Sequence, residues 1–259
     1  AAGLARGLAI SAPEAPYDSV ASFAYSPVDC FGQPLHALLV VLDESGFSGR
    51  RAMLDRAAED AALAEAADLL TALAAAAREK SGCSAIFATL PASEQVSSSD
   101  LATPGSSARF RQRLNLLLAD GASEGKWLLW DQAALANRVG FDRWFDPVRY
   151  HAAKIPFSID VCPLAADNIA ALLAAMKGKA GRALVLDLDN TLWGGVIGDD
   201  GLAGIRLGQN SPEGEAFVAF QNFILGLRDR GIVLAVCSKN TDAIARQPFR
   251  DHSEMVIKE

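Results

Sequence analysis

The sequence predicts an α/β protein built on parallel β-sheets. Short apolar runs that end in acidic residues or lead into polar loops recur along the chain, as in HALLVVLD (36–43), CSAIFATL (83–90), KWLLWD (126–131) and ALVLDLD (183–189). Runs of this kind are typical of buried strands in a parallel sheet. Ala- and Leu-rich stretches with helical spacing lie between them, and this alternation favours parallel sheets covered by helices.

The first half of the chain contains three of these strands. Leu63, Leu70 and Leu73 have helical spacing within a long Ala-rich stretch, which predicts one long or broken amphipathic helix. The expected elements after the first strand are, in order, that helix at 52–79, the strand at 83–90, a polar surface loop at 91–107, a helix near 108–119, the strand at 126–131, a short helix at 132–139, and an aromatic-rich segment at 140–158 that packs over the sheet edge.

The second half begins with a helix at 162–181 that we expect to connect two domains. After the strand at 183–186, the sequence predicts a small hairpin with its turn at residues 199–201. Ser211 and Pro212 suit the start of a helix. The remaining expected elements are an apolar helix stripe (Phe217, Phe220, Ile224 and Leu227), a second buried strand at 232–240, a helix broken near Pro248, and the start of a third strand at 254–259.

Composition limits the classes of function. The chain has 259 residues, enough for one large or two ordinary domains, and its net charge is −7. An acidic chain is a poor nucleic-acid binder, because phosphate contacts need a basic surface. We expect neither a transmembrane segment nor a signal peptide. The four cysteines (Cys30, Cys83, Cys162 and Cys237) lie far apart in sequence and predict buried free thiols, hence a cytoplasmic protein.

The strongest chemical signal directly follows the strand at 183–186. Asp187 and Asp189 would point the same way from an extended chain. Two close carboxylates repel each other, and a bound cation is the usual means by which a protein offsets this repulsion. One could form an aspartyl-phosphate and the other could protonate the leaving oxygen. An EF-hand is excluded by Leu192 and Gly198, and no Walker A motif occurs. By itself, Asp-x-Asp also occurs in ordinary turns.

DLDNTL (187–192), followed by a Gly-rich stretch, resembles the first motif of the haloacid dehalogenase superfamily. Together with VLAVCSKN (233–240) and PFRDHSEMV (248–256), it resembles the FkbH-like branch. The resemblance implies an SGNH-hydrolase-like (flavodoxin-like) three-layer α/β domain at 1–161 and the connector helix at 162–181. It then implies a Rossmann-like haloacid dehalogenase domain at 182–259, truncated before its third and fourth motifs.

The resemblance also implies an activity and a cofactor. FkbH-like proteins load a glyceryl unit from 1,3-bisphosphoglycerate onto an acyl carrier protein in polyketide-type biosynthesis and release phosphate. By this resemblance Asp187 is the nucleophile and Asp189 is the general acid/base. The same two residues are implied as the Mg²⁺ ligands, with Asp189 contributing its backbone carbonyl.

Four further residues receive roles from the resemblance. Thr191 would orient the two aspartates, and Ser238 would donate its hydroxyl to the phosphoryl group, next to Lys239. Cys237 is either the residue that holds a glyceryl thioester or a small apolar residue that closes a strand.

The N-terminal half departs from the SGNH pattern. It contains no Gly-Asp-Ser block, so hydrolysis by an SGNH mechanism is not expected. His151 lacks the Asp-x-x-His spacing, because Asp146 lies five residues before it, and it is expected to be a polar residue at a cleft rim. Arg109 and Arg113 lie one helical turn apart and are either a docking site for an acidic carrier protein or solvated charges.

Three functions therefore remain open from the sequence. The first is glyceryl transfer from 1,3-bisphosphoglycerate to an acyl carrier protein. The second is a plain Mg²⁺-dependent phosphohydrolase that acts on a small phosphate ester. The third is a non-catalytic module that docks a carrier protein.

Overall fold

The computed structural model describes residues 1–15, 20, 23, 35–42, 55–92 and 99–258. The chain divides into two compact units, Ala1–Gly178 and Lys179–Glu259. Cys30 and the acidic end of the first predicted strand, Asp43, lie outside the described residues.

The first unit is a parallel sheet with helices on both faces. Its main elements are β1 (Ala37–Val40), α1 (Arg56–Ser81), β2 (Ser84–Ala88), α2 (Ser107–Ser123), β3 (Leu128–Trp130), α3 (Gln132–Val139), α4 (Phe141–Trp144), α5 (Pro147–Ala153) and α6 (Cys162–Met176). The strand order is β1-β2-β3, and both pairings are parallel, which confirms the predicted parallel α/β architecture. His151 lies exposed on α5, where its ring contacts that of Tyr150.

Alternate residues of β2 pack into two separate cores, because successive side chains of a strand point to opposite faces. Phe87 packs with Leu70 of α1 and Leu114 of α2 in one core. Ile86 packs with Trp144 of α4 and other residues in the second core. The unit is therefore a three-layer arrangement of helices, sheet and helices.

A buried carboxylate joins α1 to α2 and to the loop before α2. Glu59 is fully buried, and its carboxylate oxygens lie 3.2 Å from Arg109 Nε and 3.1 Å from Arg113 Nη1. Glu59 also accepts a hydrogen bond from the backbone N–H of Gly105, at 3.0 Å. Arg113 additionally pairs with Asp60. The two arginines considered above as a docking pair are thus committed to internal ion pairs.

The helix predicted at 162–181 is α6, which ends at Met176 and packs within the first unit through Ala165 and the partly buried Leu172. One described segment, Ile159–Met176, is long and apolar enough to cross a membrane by length and composition, which the sequence analysis did not expect. Such a signal is weak by itself, since core helices of globular proteins give it too. Here Asp167 of this segment pairs with Arg6.

The second unit contains a two-stranded parallel sheet. Its elements are β4 (Ala183–Leu186), α7 (Ile197–Gly204), α8 (Pro212–Asp229), β5 (Val233–Val236) and α9 (Asp242–Asp251). Strands β4 and β5 pair in register from Ala183↔Val233 to Leu186↔Val236. One face of the sheet carries the core of the unit, to which Leu186, Leu188, Trp193 and Ile224 contribute.

Several local predictions for this unit are corrected by the structure. On the other face of the sheet Val185 and Val233 are 62% and 63% exposed, so strands predicted to be buried are covered on one side. Phe220 is exposed, whereas its neighbour Gln221 is fully buried and takes its place in the core. Residues 252–258 form turns instead of a third strand.

The predicted hairpin at 199–201 is also wrong, because this segment belongs to helix α7. The Asp200 carboxylate accepts a hydrogen bond from the backbone N–H of Val196, at 2.8 Å, and the N–H of Asp200 donates back to the Val196 carbonyl. These bonds begin a helical turn in place of a β-turn. Gly201, at φ 64°, then kinks the helix.

Candidate active site

The candidate site lies at the carboxyl edge of the β4–β5 sheet. Asp187 and Asp189 follow β4, and Ser238 and Asn240 follow β5. The backbone N–H of Cys237 donates to the Leu186 carbonyl at 2.9 Å, so the ladder continues one residue past the end of β5. Parallel strands bring their carboxyl ends to the same edge, which is the usual position of ligand sites in α/β sheets.

Asp189 is held by three hydrogen-bond donors from three different parts of the unit. Its Oδ1 accepts from the Trp193 indole at 3.1 Å and from the backbone N–H of Ile197, at the start of α7, at 3.0 Å. Its Oδ2 accepts from Asn240 Nδ2, beyond β5, at 2.7 Å. The half-buried carboxylate therefore has a fixed orientation.

The Asp187 carboxylate, in contrast, is not fixed by several hydrogen-bond donors. Its side chain is exposed, and among the described residues its carboxylate accepts one hydrogen bond, from the neighbouring Leu188 N–H at 2.8 Å. The remaining lone pairs face solvent. An accessible carboxylate next to a fixed one is the arrangement that a nucleophile and a separate acid/base need.

A tight loop joins the two aspartates to the glycines that follow. Asn190 adopts a left-handed conformation at φ 56°, and its side-chain oxygen accepts from the Gly195 N–H at 2.9 Å. The Asn190 N–H donates back to the Gly195 carbonyl. Gly195 itself has φ 95° and a Cβ there would lie 2.6 Å from the Asp200 carboxylate, so this position requires glycine.

Thr191, predicted to orient the aspartates, is half-buried in this loop. Its backbone N–H donates to the Leu188 carbonyl, and its hydroxyl has no hydrogen-bond partner among the described residues. The loop is held by Asn190 instead. The role proposed for the Thr191 hydroxyl stays a prediction.

The residues after β5 differ in exposure. Cys237 and Lys239 are exposed, whereas Ser238 is half-buried. Ser238 Oγ accepts from the Asn240 backbone N–H at 3.2 Å and from Asn240 Nδ2 at 3.3 Å. With its acceptor positions used in this way, the hydroxyl proton is free to bind a phosphoryl oxygen. Of the other thiols, Cys83 is buried as expected.

Two residues of the site were missed by the sequence reasoning. Asn240 belongs to the CSKN segment, but nothing in the sequence indicates that its side chain reaches Asp189, which lies 51 residues earlier. Trp193 is fully buried and packs edge-on against Phe249, at 6.0 Å between ring centroids. Its position in a Gly-rich stretch gives no sign that its N–H serves an aspartate.

A cavity of about 540 Å³ adjoins the site. Ser238 and Asn240 belong to its lining, and most of the other lining residues are apolar, among them Leu225 of α8, Leu234 of β5 and Phe249 of α9. Arg228, Arg246 and Lys258 contribute cationic groups to its lining, and Asp242 contributes an anionic one. Arg246 pairs with Asp242, and Arg228 pairs with Asp229. Space for the organic part of a small anionic ligand therefore exists beside Ser238.

The available oxygen atoms suit a magnesium ion that is shared with a substrate. Among the described residues, no group of three or more His, Cys, Asp or Glu side chains could cage a metal. Mg²⁺ commonly takes only one or two protein carboxylates and fills its shell with water and substrate phosphate. The free Asp187 carboxylate meets this need. The main-chain carbonyl of Asp189 could add a second ligand. In its side chain, N–H donors fill both lone pairs of Oδ1 and one lone pair of Oδ2.

Comparison with known proteins gives one informative likeness. No protein-family model matches the sequence, and no curated protein matches it. Among solved structures, the chain is similar to the N-terminal part of the protein BF1531 from Bacteroides fragilis, which contains a phosphatase domain and was crystallised in complex with Mg. The two share 28% sequence identity with a TM-score of 0.87, over 99% of this chain and 68% of the other.

This likeness supports the haloacid dehalogenase-like phosphatase fold that the sequence predicted. The FkbH-like and SGNH-like assignments, the predicted domain boundaries, the site residues and the cytoplasmic location stay predictions. The chain is thus a mixed α/β protein with parallel sheets, similar over almost its whole length to a structure that contains a phosphatase domain.

Proposed function

We propose that this chain is a Mg²⁺-dependent phosphohydrolase of a small phosphate ester. The observation that carries the proposal is the pairing of an exposed Asp187 with a fixed Asp189 at the carboxyl edge of a parallel sheet. The likeness to a structure that contains a phosphatase domain and binds Mg supports it.

The proposed hydrolysis proceeds in two steps, phosphoryl transfer to Asp187 and then attack by water. In the first step an Asp187 oxygen attacks phosphorus, the bond from phosphorus to the ester oxygen breaks, and Asp189 gives its proton to that leaving oxygen. In the second step Asp189 takes a proton from water, the water oxygen attacks phosphorus, and the bond to Asp187 breaks. Phosphate is released and both aspartates regain their starting forms.

The other groups support these steps without forming bonds to phosphorus. The Ser238 hydroxyl donates to a phosphoryl oxygen. The Asp187 carboxylate and the Asp189 carbonyl would hold Mg²⁺, which would supply positive charge to offset the negative charge of the phosphoryl group. The cavity beside Ser238 receives the organic part of the ester.

Phosphate release from a panel of small phosphate esters tests this proposal. The wild-type chain should release phosphate with Mg²⁺ and stop when EDTA is added. Asp187→Asn should be inactive, whereas Asp120→Asn, which removes an exposed carboxylate in the first unit, should retain wild-type activity. Activity that survives in Asp187→Asn would remove the proposed nucleophile.

The second candidate is glyceryl transfer, and the exposure of Cys237 beside Ser238 favours it. The Cys237 sulfur would attack the acyl carbon of 1,3-bisphosphoglycerate, losing its proton to solvent, while the bond from carbon to the phosphate oxygen breaks. The resulting 3-phosphoglyceryl thioester would lose its remaining phosphate by the two-step hydrolysis at Asp187 and Asp189. The glyceryl group would then pass to the thiol of a holo acyl carrier protein, whose proton returns to the Cys237 sulfur. A carrier protein would be an essential partner in this candidate and in the non-catalytic docking alternative.

Intact-mass analysis of the carrier protein separates these candidates. A glyceryl-sized gain in mass that is lost in Cys237→Ala and in Asp187→Asn would support transfer through Cys237. Phosphate release with no mass gain on the carrier would leave the simple phosphohydrolase. Carrier binding without either reaction would support docking alone.

A further inference from the structure

The Asn240 side chain connects the two halves of the candidate site. One N–H of its amide points to Asp189 Oδ2 at 2.7 Å, and Nδ2 also lies 3.3 Å from Ser238 Oγ. An amide NH₂ has two hydrogens, so a single side chain can serve both partners. The reverse amide orientation would place an oxygen against the Asp189 carboxylate, and that would be repulsive.

The surroundings of Asn240 leave it little freedom to move. Its backbone N–H is bound to Ser238 Oγ. Its side-chain oxygen faces α7, where a Cβ added to Gly198 would lie only 3.3 Å away. The absence of a side chain at Gly198 therefore makes room for the Asn240 amide.

The three hydrogen bonds to Asp189 are divided unequally between its two carboxylate oxygens. The donors Trp193 and Ile197 use both lone pairs of Oδ1, so this oxygen has no position left for a substrate. Oδ2 accepts only from Asn240 within the described residues, and one of its lone pairs remains available. Asn240 thereby determines where that remaining position points.

We propose that Asn240 is a positioning residue that aims the free lone pair of Asp189 Oδ2 at the leaving oxygen of the substrate. The inference rests on the proposed function, because it concerns the proton that Asp189 gives to that oxygen in the first step. It predicts that Asn240 matters most for substrates whose leaving group needs that proton.

The test compares two phosphate esters in the full chain with Mg²⁺. An alkyl phosphate needs a proton on its leaving oxygen, whereas 4-nitrophenyl phosphate leaves as a stable phenolate without one. Asn240→Ala should lower kcat/KM for the alkyl ester about tenfold to a hundredfold more than kcat/KM for the aryl ester, in line with the cost of a misplaced catalytic group. The comparison uses kcat/KM because this constant excludes the second step, in which Asp189 acts in the same way for both esters. Gly198→Ala should change the same ratio in the same direction by a smaller factor, because its methyl group pushes on the Asn240 oxygen.

Two controls separate positioning from general damage. Asn222→Ala removes an exposed amide whose one donated hydrogen bond within the described part of the chain goes to the Val218 carbonyl of its own helix, and the ratio should not change. The double variant Asp189→Asn/Asn240→Asp can restore an amide–carboxylate hydrogen bond with its direction reversed. It should melt like the wild type and still fail on the alkyl ester.

The outcomes are distinguishable. An equal loss of kcat/KM for both esters in Asn240→Ala would overturn the inference while the proposed function stands. A wild-type chain that cleaves neither ester would overturn the proposed function and the inference with it. A selective loss for the alkyl ester supports both.

Discussion

At the scale of single residues, the two aspartates are chemically alike but physically different. Asp187 is exposed and almost unbonded, whereas three N–H donors fix Asp189. Sequence spacing predicted that the two would lie together. It could not predict which of them would be immobilised, because the donors come from the loop after β4, from α7 and from the segment after β5.

Ser238 provides the first prediction at this scale. Because its hydroxyl accepts two hydrogen bonds from Asn240, its own proton is free for a phosphoryl oxygen. Ser238→Ala should lower kcat/KM by about 10²-fold, the effect of removing one donor from a site of developing negative charge. Steady-state phosphate release measures this change. Ser253→Ala, an exposed serine in a turn, is the matched control, and equal losses in both variants would contradict the assigned role.

At the scale of elements, α1 and α2 are joined by a buried charge. Burial alone would raise the pKa of Glu59, but the Gly105 N–H and the Arg113 and Arg109 guanidinium groups outweigh it and hold the pKa below its ordinary value. A carboxyl whose pKa is lowered by folding stabilises the folded state above its unfolded pKa. This stability is lost as the pH falls through the folded pKa.

The corresponding prediction concerns stability as a function of pH. Glu59→Gln should lower the free energy of unfolding at neutral pH by about 3 kcal/mol, because it leaves two arginines without their buried partner. The deficit should shrink as the pH falls below about 4, because the carboxyl of the unfolded chain then takes up protons while the folded one, with its lowered pKa, does not. Urea denaturation at several pH values measures both effects. A deficit that does not depend on pH would contradict the electrostatic explanation.

Helix α2 also carries a glycine that packing requires. A Cβ at Gly121 would lie 1.9 Å from the ring of Trp127, whose indole donates to the Leu118 carbonyl. Glycine in a helix normally costs stability relative to alanine. Here Gly121→Ala should instead destabilise the chain, by about 1–3 kcal/mol, because the ring has to move.

Gly226 in α8 is the matched control for Gly121. A Cβ there would meet nothing within 4 Å, so Gly226→Ala should raise the free energy of unfolding by about 0.5–1 kcal/mol. Chemical denaturation of both variants measures the contrast. Stabilisation by Gly121→Ala would show that the Trp127 contact is not as close as the structure has it.

Helix α8 shows that hydrophobic periodicity does not always predict which residues are buried. The apolar stripe of α8 was predicted to be core, yet Phe220 is exposed and Gln221 is buried. Gln221 donates to the Leu192 carbonyl and accepts from the backbone N–H of Val256 and Ile257, which ties the site loop to the segment after α9. Hydrophobic periodicity cannot predict such a residue, because tertiary hydrogen bonds decide its burial.

At the scale of the whole molecule, the parallel architecture was predictable and the connections within the site were not. Apolar runs such as 83–90 and 183–186 specify strands locally, and their alternation with helices specifies parallel pairing. The bond from Asn240 to Asp189 and the helical form of 197–204 depend on contacts that no local pattern records. Helix α6 was predicted to connect two domains, but in the structure it packs within the first unit.

The division into units gives a prediction at this scale. The segment from Lys177 to Arg182 is exposed and follows the end of α6. Brief trypsin treatment should therefore cut at Lys177, Lys179 or Arg182, and mass spectrometry should identify fragments that end there. Protection of all three sites under conditions that cut elsewhere would contradict an exposed boundary.

The proposed function depends above all on Asp187, which carries the phosphoryl group between the two steps. The most direct measurement is acid quenching during turnover of a small phosphate ester with Mg²⁺, followed by intact-mass and peptide mass analysis. We expect one added phosphoryl group on the peptide that contains Asp187. It should be absent in Asp187→Asn and absent when EDTA removes the metal. Two results would contradict a phosphorylated Asp187. One is phosphate release by Asp187→Asn, which cannot form this adduct, and the other is a phosphoryl group on a different residue.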